Sequence, residues 1–313
     1  TSFSAVKNSP DASVTMGLGV FKFTLGGRMD YFGFTDGNLF LSPRFSAVYV
    51  LNPVSSLVFS AGRYYQSPSY VWLVGGSETK LKPFRADQIV FGYEHTPLED
   101  VKVQIEGFYK WYSDYPARQY RPQAVLAPSG FDDLTYDIPY GLEPLESTGK
   151  GYSRGVELFI QKKFTNSFPI YGLMTMTLSE VRFKSIDGVE RTGSFDQRFI
   201  MNLALGWRPS ELWELSCKFR LSTGLPTTPF TSEGKLDFGR YNEGERLPTY
   251  HSLDVRADKR WNFDDFALVT YIDIQNIYGN KYKSAPKWDS RTGAAKQSES
   301  IGFLPSIGVS FEF

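Results

Sequence analysis

Stretches of period-two alternation recur along the whole chain, and the connections between them switch regularly between short and long. Few folds satisfy both conditions. Short turns fall at residues 51–55, 96–100, 165–169, 208–212 and 261–265. Interleaved with them are long polar connections at 66–85, 113–151, 184–196, 223–247 and 277–300, with Asp36-Gly37-Asn38 a shorter member of the same side. Successive side chains of a strand point to opposite faces, so each stretch makes a ribbon with one apolar and one polar side. Tight turns at one end and long loops at the other are the signature of an antiparallel barrel that crosses a membrane. The spacing predicts about twelve strands, near 18–34, 39–50, 55–65, 86–96, 100–112, 152–164, 170–183, 197–207, 212–222, 249–261, 265–276 and 302–313. That even count puts both termini at the short-turn end.

The last stretch is the clearest. Phe303, Pro305, Ile307, Val309, Phe311 and Phe313 share one face, and Leu304, Ser306, Gly308, Ser310 and Glu312 the other. A tilted strand needs about 9–11 residues to cross a bilayer, which this segment supplies. As the free edge of a soluble sandwich it would invite aggregation. Val101, Val103, Ile105, Tyr109 and Trp111 alternate in the same way with Lys102, Gln104, Glu106 and Lys110. Leu203, Leu205 and Trp207 alternate with Asn202, Ala204 and Arg208, and Trp213, Leu215, Cys217 and Phe219 with Glu214, Ser216, Lys218 and Arg220. In a sandwich the apolar sets fill a core between two sheets; in a barrel they meet lipid and the charged sets line a lumen. The loop alternation and the C-terminal aromatic favour the barrel.

Aromatic residues at strand ends predict two interfacial girdles. The long-loop side carries Tyr31, Phe32, Tyr64, Trp111, Tyr250, Tyr278 and Phe303, and the short-turn side Tyr93, Phe164, Trp207, Trp213, Trp261 and Phe313. Phe311 and Phe313 also read as a C-terminal assembly signal. Composition agrees: 16 % of the 313 residues are aromatic, while 34 basic and 34 acidic residues cancel. This balance offers no basic field for nucleic acid. No run of 18 apolar residues supplies a transmembrane helix. The chain opens Thr1-Ser2-Phe3 without a signal peptide, so it reads as mature, processed or a fragment. Cys217 stands alone, which leaves no disulfide within the chain.

Several phrases, in order, resemble the C-terminal part of TonB-dependent outer-membrane receptors. They are Leu41-Ser42-Pro43-Arg44-Phe45-Ser46-Ala47-Val48-Tyr49, Ser60-Ala61-Gly62-Arg63-Tyr64-Tyr65-Gln66-Ser67-Pro68-Ser69, Leu81-Lys82-Pro83-Phe84-Arg85-Ala86-Asp87-Gln88 and Gly155-Val156-Glu157-Leu158. Leu247-Pro248-Thr249-Tyr250-His251-Ser252-Leu253-Asp254-Val255-Arg256 and Ile274-Gln275-Asn276-Ile277-Tyr278 carry the likeness furthest. The resemblance implies an all-β antiparallel transmembrane barrel of about 22 strands with a plug, imported ligand and energy from TonB acting through the plug. Residues 1–313 then form about twelve C-terminal strands, the missing N-terminal strands and plug belonging to the same or a separate chain. In lipid an unpaired strand edge leaves backbone groups unsatisfied. Closure as a smaller barrel, by self-association or with a partner chain therefore all stand open.

Candidate binding residues lie in the long loops, where aromatics beside Arg can stack on sugars or hold anionic chelates. They are Tyr70 and Trp72; Tyr115, Arg118, Tyr120, Arg121, Phe131 and Tyr136; and Tyr282, Lys283, Lys287, Trp288 and Arg291. Arg154, Glu157, Arg198, Arg220, Asp254 and Arg256 are expected to face the lumen or a plug. Chemistry of other kinds finds little footing. His95 and His251 fall at opposite ends of their strands, and His251 and Ser252, as neighbours, point to opposite faces. Asp132-Asp133 and Asp264-Asp265 read as turn residues rather than calcium ligands. No cofactor or metal is expected. The reading is import of a scarce ligand (siderophore, cobalamin, glycan or peptide); the alternative is a structural or interaction barrel in a surface complex.

Overall fold

The computed structural model describes residues 6–74, 81–125 and 144–313; Phe131, Asp132, Asp133 and Tyr136 lie outside them. Its first strands are β1 (Lys7–Asn8), β2 (Asp11–Leu18), β3 (Phe21–Phe32), β4 (Leu39–Asn52), β5 (Ser55–Gln66) and β6 (Phe84–Leu98). A one-turn helix α1 (Tyr70–Val74) lies between β5 and β6. There follow β7 (Val101–Arg118), β8 (Leu145–Lys162), β9 (Ile170–Lys184), β10 (Glu190–Thr192), β11 (Phe199–Ser210) and β12 (Trp213–Ser222). The chain ends with β13 (Tyr250–Asn262), β14 (Ala267–Gln275), β15 (Lys287–Asp289), β16 (Ala294–Lys296) and β17 (Leu304–Glu312).

All twelve expected wall strands are present, each paired antiparallel with its neighbour in chain order from β3 to β17, β10 being an added flap on β9. One wall strand more exists than the sequence reading gave. β1 and β2 both lie along the free edge of β3, forming one interrupted strand. Val14, Met16 and Leu18 stand opposite Leu25, Phe23 and Phe21, while Thr15 and Thr24 bond across the polar face. Only three apolar residues mark this strand, and the Gly19-Val20 turn merges its end with the start of β3. Among the described residues the expected even count therefore gives way to an odd one, and the first of them stand at the long-loop end. No pairing joins β2 to β17 among the described residues. The sheet is an open wall, not a small closed barrel.

Register settles which side chains share a face. Leu203 lies opposite Phe219, Cys217 opposite Val255, Ala257 opposite Ile272, and Ile272 opposite Ile307. These residues form one continuous apolar surface, on which Ile272 is 57 % and Ile307 82 % exposed. No second sheet covers it among the described residues, so the sandwich arrangement is absent. On the opposite face Lys102 pairs with Glu94 at 3.1 Å, Arg256 with Asp258 at 2.6 Å and Arg260 with Glu312 at 2.5 Å. Register shifts at 50/52, 95/98 and 207/210 all sit beside short turns. Bulges there sharpen the twist as the chain reverses.

Trp207, Trp213 and Trp261 lie exposed on the apolar face at the short-turn end, with the Lys259 ammonium 4.0 Å from the Trp261 ring centre and 4.9 Å from that of Trp213. Trp111 and Tyr31 hold the other end of that face. Four expected girdle residues are elsewhere. By register Phe32, Tyr64 and Tyr250 turn to the polar face, and Phe164 packs on Arg208 there. End-of-strand position alone does not fix the face; parity does.

Strands β7 and β8 run past their expected ends, so residues 113–118 and 145–151 are sheet, not loop. The Ser-Asp-Tyr-Pro segment reads as a breaker, yet Asp114 takes a left-handed φ of 60° and the ladder shifts between Tyr112 and Pro116. Pro116 is tolerated because a bulge removes the need for a ladder donor. Placing Arg at Leu203, midway along the apolar face of β11, should cost about 2–4 kcal/mol. The same change at Asn202, on the polar face, should cost little. Urea titration of the full-length protein in vesicles measures both.

Candidate functional site

The long-loop end is capped by the one sizeable hydrophobic cluster among the described residues. Trp72, Leu81, Phe84, Tyr115, Val125, Leu145, Phe183 and Tyr241 are buried together. The Phe84 ring stacks on Tyr115 at 4.9 Å, and Phe183 meets Tyr241 edge-on at 6.1 Å. Contributions come from the connections before β6, β8 and β13 and from the ends of β6 to β9. A second, polar tie crosses the same region. Asp196, fully buried, accepts from the Val181 amide at 2.7 Å and from Arg198 and Arg246 at 2.7 and 2.6 Å.

Beside this cluster opens a cleft of about 920 Å³, within the range of small-molecule sites. Four long connections meet there: Arg121 from β7–β8, Ser194 from β9–β11, residues 226–242 from β12–β13 and residues 285–288 from β14–β17. The Arg121 guanidinium lies 4.1 Å over the Phe238 ring, and Trp288 packs on Phe230 at 5.6 Å. Gly234, at φ 81°, is required beneath Trp288: a Cβ there would come within 2.1 Å of the indole nitrogen. Asn242, also left-handed at φ 59°, donates to the Thr192 carbonyl at 2.7 Å and to Ser194 at 3.1 Å. The cationic residues among the described lining are Arg121, Lys235 and Lys287, with Glu233 3.4 Å from the Lys235 ammonium.

Trp288 is presented by the β15–β16 hairpin, whose turn Asp289 closes. Its carboxylate accepts from Lys296 at 2.5 Å and from the Arg291 amide at 2.9 Å. The Lys296 hydrogen bond and then the turn amide hold Asp289 below its ordinary value.

The candidate residues fall into separate groups. Arg121 and Trp288 are brought together in the cleft. Tyr120 is exposed, and Tyr70 lies edge-on to Phe34 at 5.2 Å on α1. Trp72, Tyr115 and Arg118 are buried in the loop packing. Sequence reading missed Phe230, Gly234, Phe238 and Asn242; among them, only a Gly inside an aromatic-rich connection gave any signal.

Of the expected lumen residues, Glu157, Arg220, Asp254 and Arg256 do lie on the polar face. Arg220 faces Asn202 and Ser252, and Arg256 stacks 3.9 Å over Tyr271. Asp254 caps the following loop, accepting from the Asn276 amide at 2.8 Å, where Asn276 takes a left-handed φ of 51°. Arg154 and Arg198 are corrections: both bond Glu180 on the apolar face, at 2.7 and 3.3 Å. Arg154 has the parity of Val156 and Leu158, a signal already present in the sequence.

Trp72→Ala should cost about 3–5 kcal/mol of loop-cluster stability, raising amide exchange across the loops while the wall strands keep theirs. Asp289 has a lowered folded-state pKa, so its contribution is present above the unfolded value of about 3.9 and is lost as pH falls through the folded one. Trp288 fluorescence should therefore hold steady on acidification to that value and change only below it. Asp289→Asn should abolish that acid transition.

A model of the TonB-dependent receptor-like β-barrel matches residues 12–277. No curated protein matches the chain in sequence. Solved structures do match in fold. The iron transporter FrpB of Neisseria meningitidis is 14 % identical with a TM-score of 0.67, covering 98 % of this chain and 45 % of its own. The ferric-catecholate import receptor Fiu of E. coli K12 is 11 % identical with a TM-score of 0.71, covering 98 % and 44 %. The ferripyoverdine receptor of Pseudomonas aeruginosa, solved with ferripyoverdine bound, is 12 % identical with a TM-score of 0.68, covering 98 % and 38 %. The chain thus spans less than half the length of these structures. By fold and by sequence pattern it belongs to the TonB-dependent receptor β-barrel family, proteins of the bacterial outer membrane.

Proposed function

We propose that this chain supplies part of the wall and the ligand-gathering loops of a receptor that imports an anionic ferric chelate of the siderophore class. The cleft carries the reading. Arg121, Lys235 and Lys287 line it with Trp288 and Phe238, a set of cations and aromatic faces suited to a flat, negatively charged ligand. Proteins of similar fold include an iron transporter, a ferric-catecholate import receptor and a receptor bound to ferripyoverdine. The remaining strands pair with the free edges of β2 and β17, because an unmatched backbone group in hydrocarbon costs several kcal/mol. A plug within the closed wall then couples the receptor to TonB, and transport rather than catalysis is its work. His95 and His251 stand at opposite ends of the wall, and no metal-holding group of three or more His, Cys, Asp or Glu occurs among the described residues.

The test uses the full-length receptor in outer membranes and two radioiron chelates, an anionic tris-catecholate and a neutral tris-hydroxamate. Arg121→Ala or Trp288→Ala should weaken binding of the anionic chelate about tenfold while leaving loop exchange unchanged. Equal binding of both chelates, or no effect of either substitution, would remove the assignment.

A further inference from the structure

On the apolar face, strands β8 and β9 change character abruptly toward the long-loop end. Leu158 faces Met176 and Val156 faces Leu178; one step further Arg154 faces Glu180, then Tyr152 faces Arg182, then Lys150 faces Lys184. Trp111 stands directly opposite Tyr152. The switch from apolar to charged therefore falls at the level where aromatics mark the membrane–water interface.

Among the described residues the charges there do not balance. Glu180, only 16 % exposed, is shared by Arg154 at 2.7 Å, Arg182 at 2.9 Å and Arg198 at 3.3 Å. Asp196 is shared by Arg198 and Arg246. Four guanidinium groups thus meet two carboxylates, and above them the like charges of Lys150 and Lys184 oppose each other, with Glu190 on the flap beside Lys184. Like charges directly across a ladder are destabilising. Arg154 remains 55 % exposed, its guanidinium reaching Glu180 with two of its five N–H donors.

Immediately below lies a trough of about 660 Å³. Phe59, Ile89 and Phe91 form one bank, Val156 and Leu178 the other, and Arg154, Glu180 and Arg198 close the upper end. Gly107, directly between Phe91 and Val156, provides the floor, and a Cβ added there would meet nothing within 4 Å. Glycine inside a strand weakens it and often marks a close approach by another molecule.

We propose that this is a binding site for a phosphate-bearing lipid of the outer leaflet, its phosphate on Arg154, Arg182 and Arg198 and one acyl chain in the Gly107 trough. Charge complementarity selects an anionic headgroup, and bidentate arginine suits phosphate. The trough selects a lipid over a free anion, because inorganic phosphate has no use for an apolar channel. The site shares no lining residue with the import cleft and does not depend on which ligand is carried.

The experiment places the full-length receptor in phosphatidylcholine nanodiscs containing chain-spin-labelled phosphatidic acid and reads the motionally restricted component. The wild type should restrict phosphatidic acid in preference to equally labelled phosphatidylcholine. Arg154→Gln with Arg182→Gln should abolish that preference. Independently, Gly107→Phe, which fills open space, should remove the restricted component with the arginines intact. Heat-resistant migration of the folded barrel checks that each variant assembles. A preference unchanged in both variants would overturn the proposal. So would displacement of the lipid by inorganic phosphate combined with no effect of Gly107→Phe, which would assign the arginines to a soluble anion.

Discussion

Inter-strand hydrogen bonding is the constraint from which the rest of this structure follows. The wall has no apolar interior of its own, since its greasy face meets lipid and its polar face meets the lumen. Cohesion between strands therefore comes from backbone ladders, which hydrocarbon enforces by offering no alternative partner. Each strand's register then dictates which face every side chain joins, and a slip by one residue would exchange the two surfaces.

Burial of the ordinary kind is displaced to the loops. Trp72, Phe84, Tyr115, Phe183 and Tyr241 pack where the chain has left the bilayer and water is again the solvent. There the hydrophobic effect operates as in a soluble domain. Two solvents thus divide the chain into two regimes of stability, and residues of the same type serve opposite ends. Trp213 is exposed because lipid welcomes it, and Trp72 is buried because water does not.

The wall was legible in the sequence because period-two alternation and alternating connection length are both consequences of the ladder. What escaped were features decided by something other than alternation. β2 was lost because three apolar residues and a Gly-Val turn blur into the next strand. The extension of β7 through Pro116 depends on a bulge that turn chemistry alone does not announce. Charge alone points Arg154 inward, whereas its parity with Val156 and Leu158 points it outward, and parity decides. The cleft residues were the least accessible of all. Four separate connections converge there, and nothing local in any one of them records the other three.

The loop cluster has a mechanical consequence. It clasps the upper ends of β6, β7, β8 and β9 and reaches across to the β12–β13 connection through Tyr241, whereas the opposite rim is joined by short turns alone. The molecule is thus hooped at one mouth and unhooped at the other. Breathing of the wall is therefore expected at the unhooped rim, and the proposed ligand cleft is mounted on the hooped one.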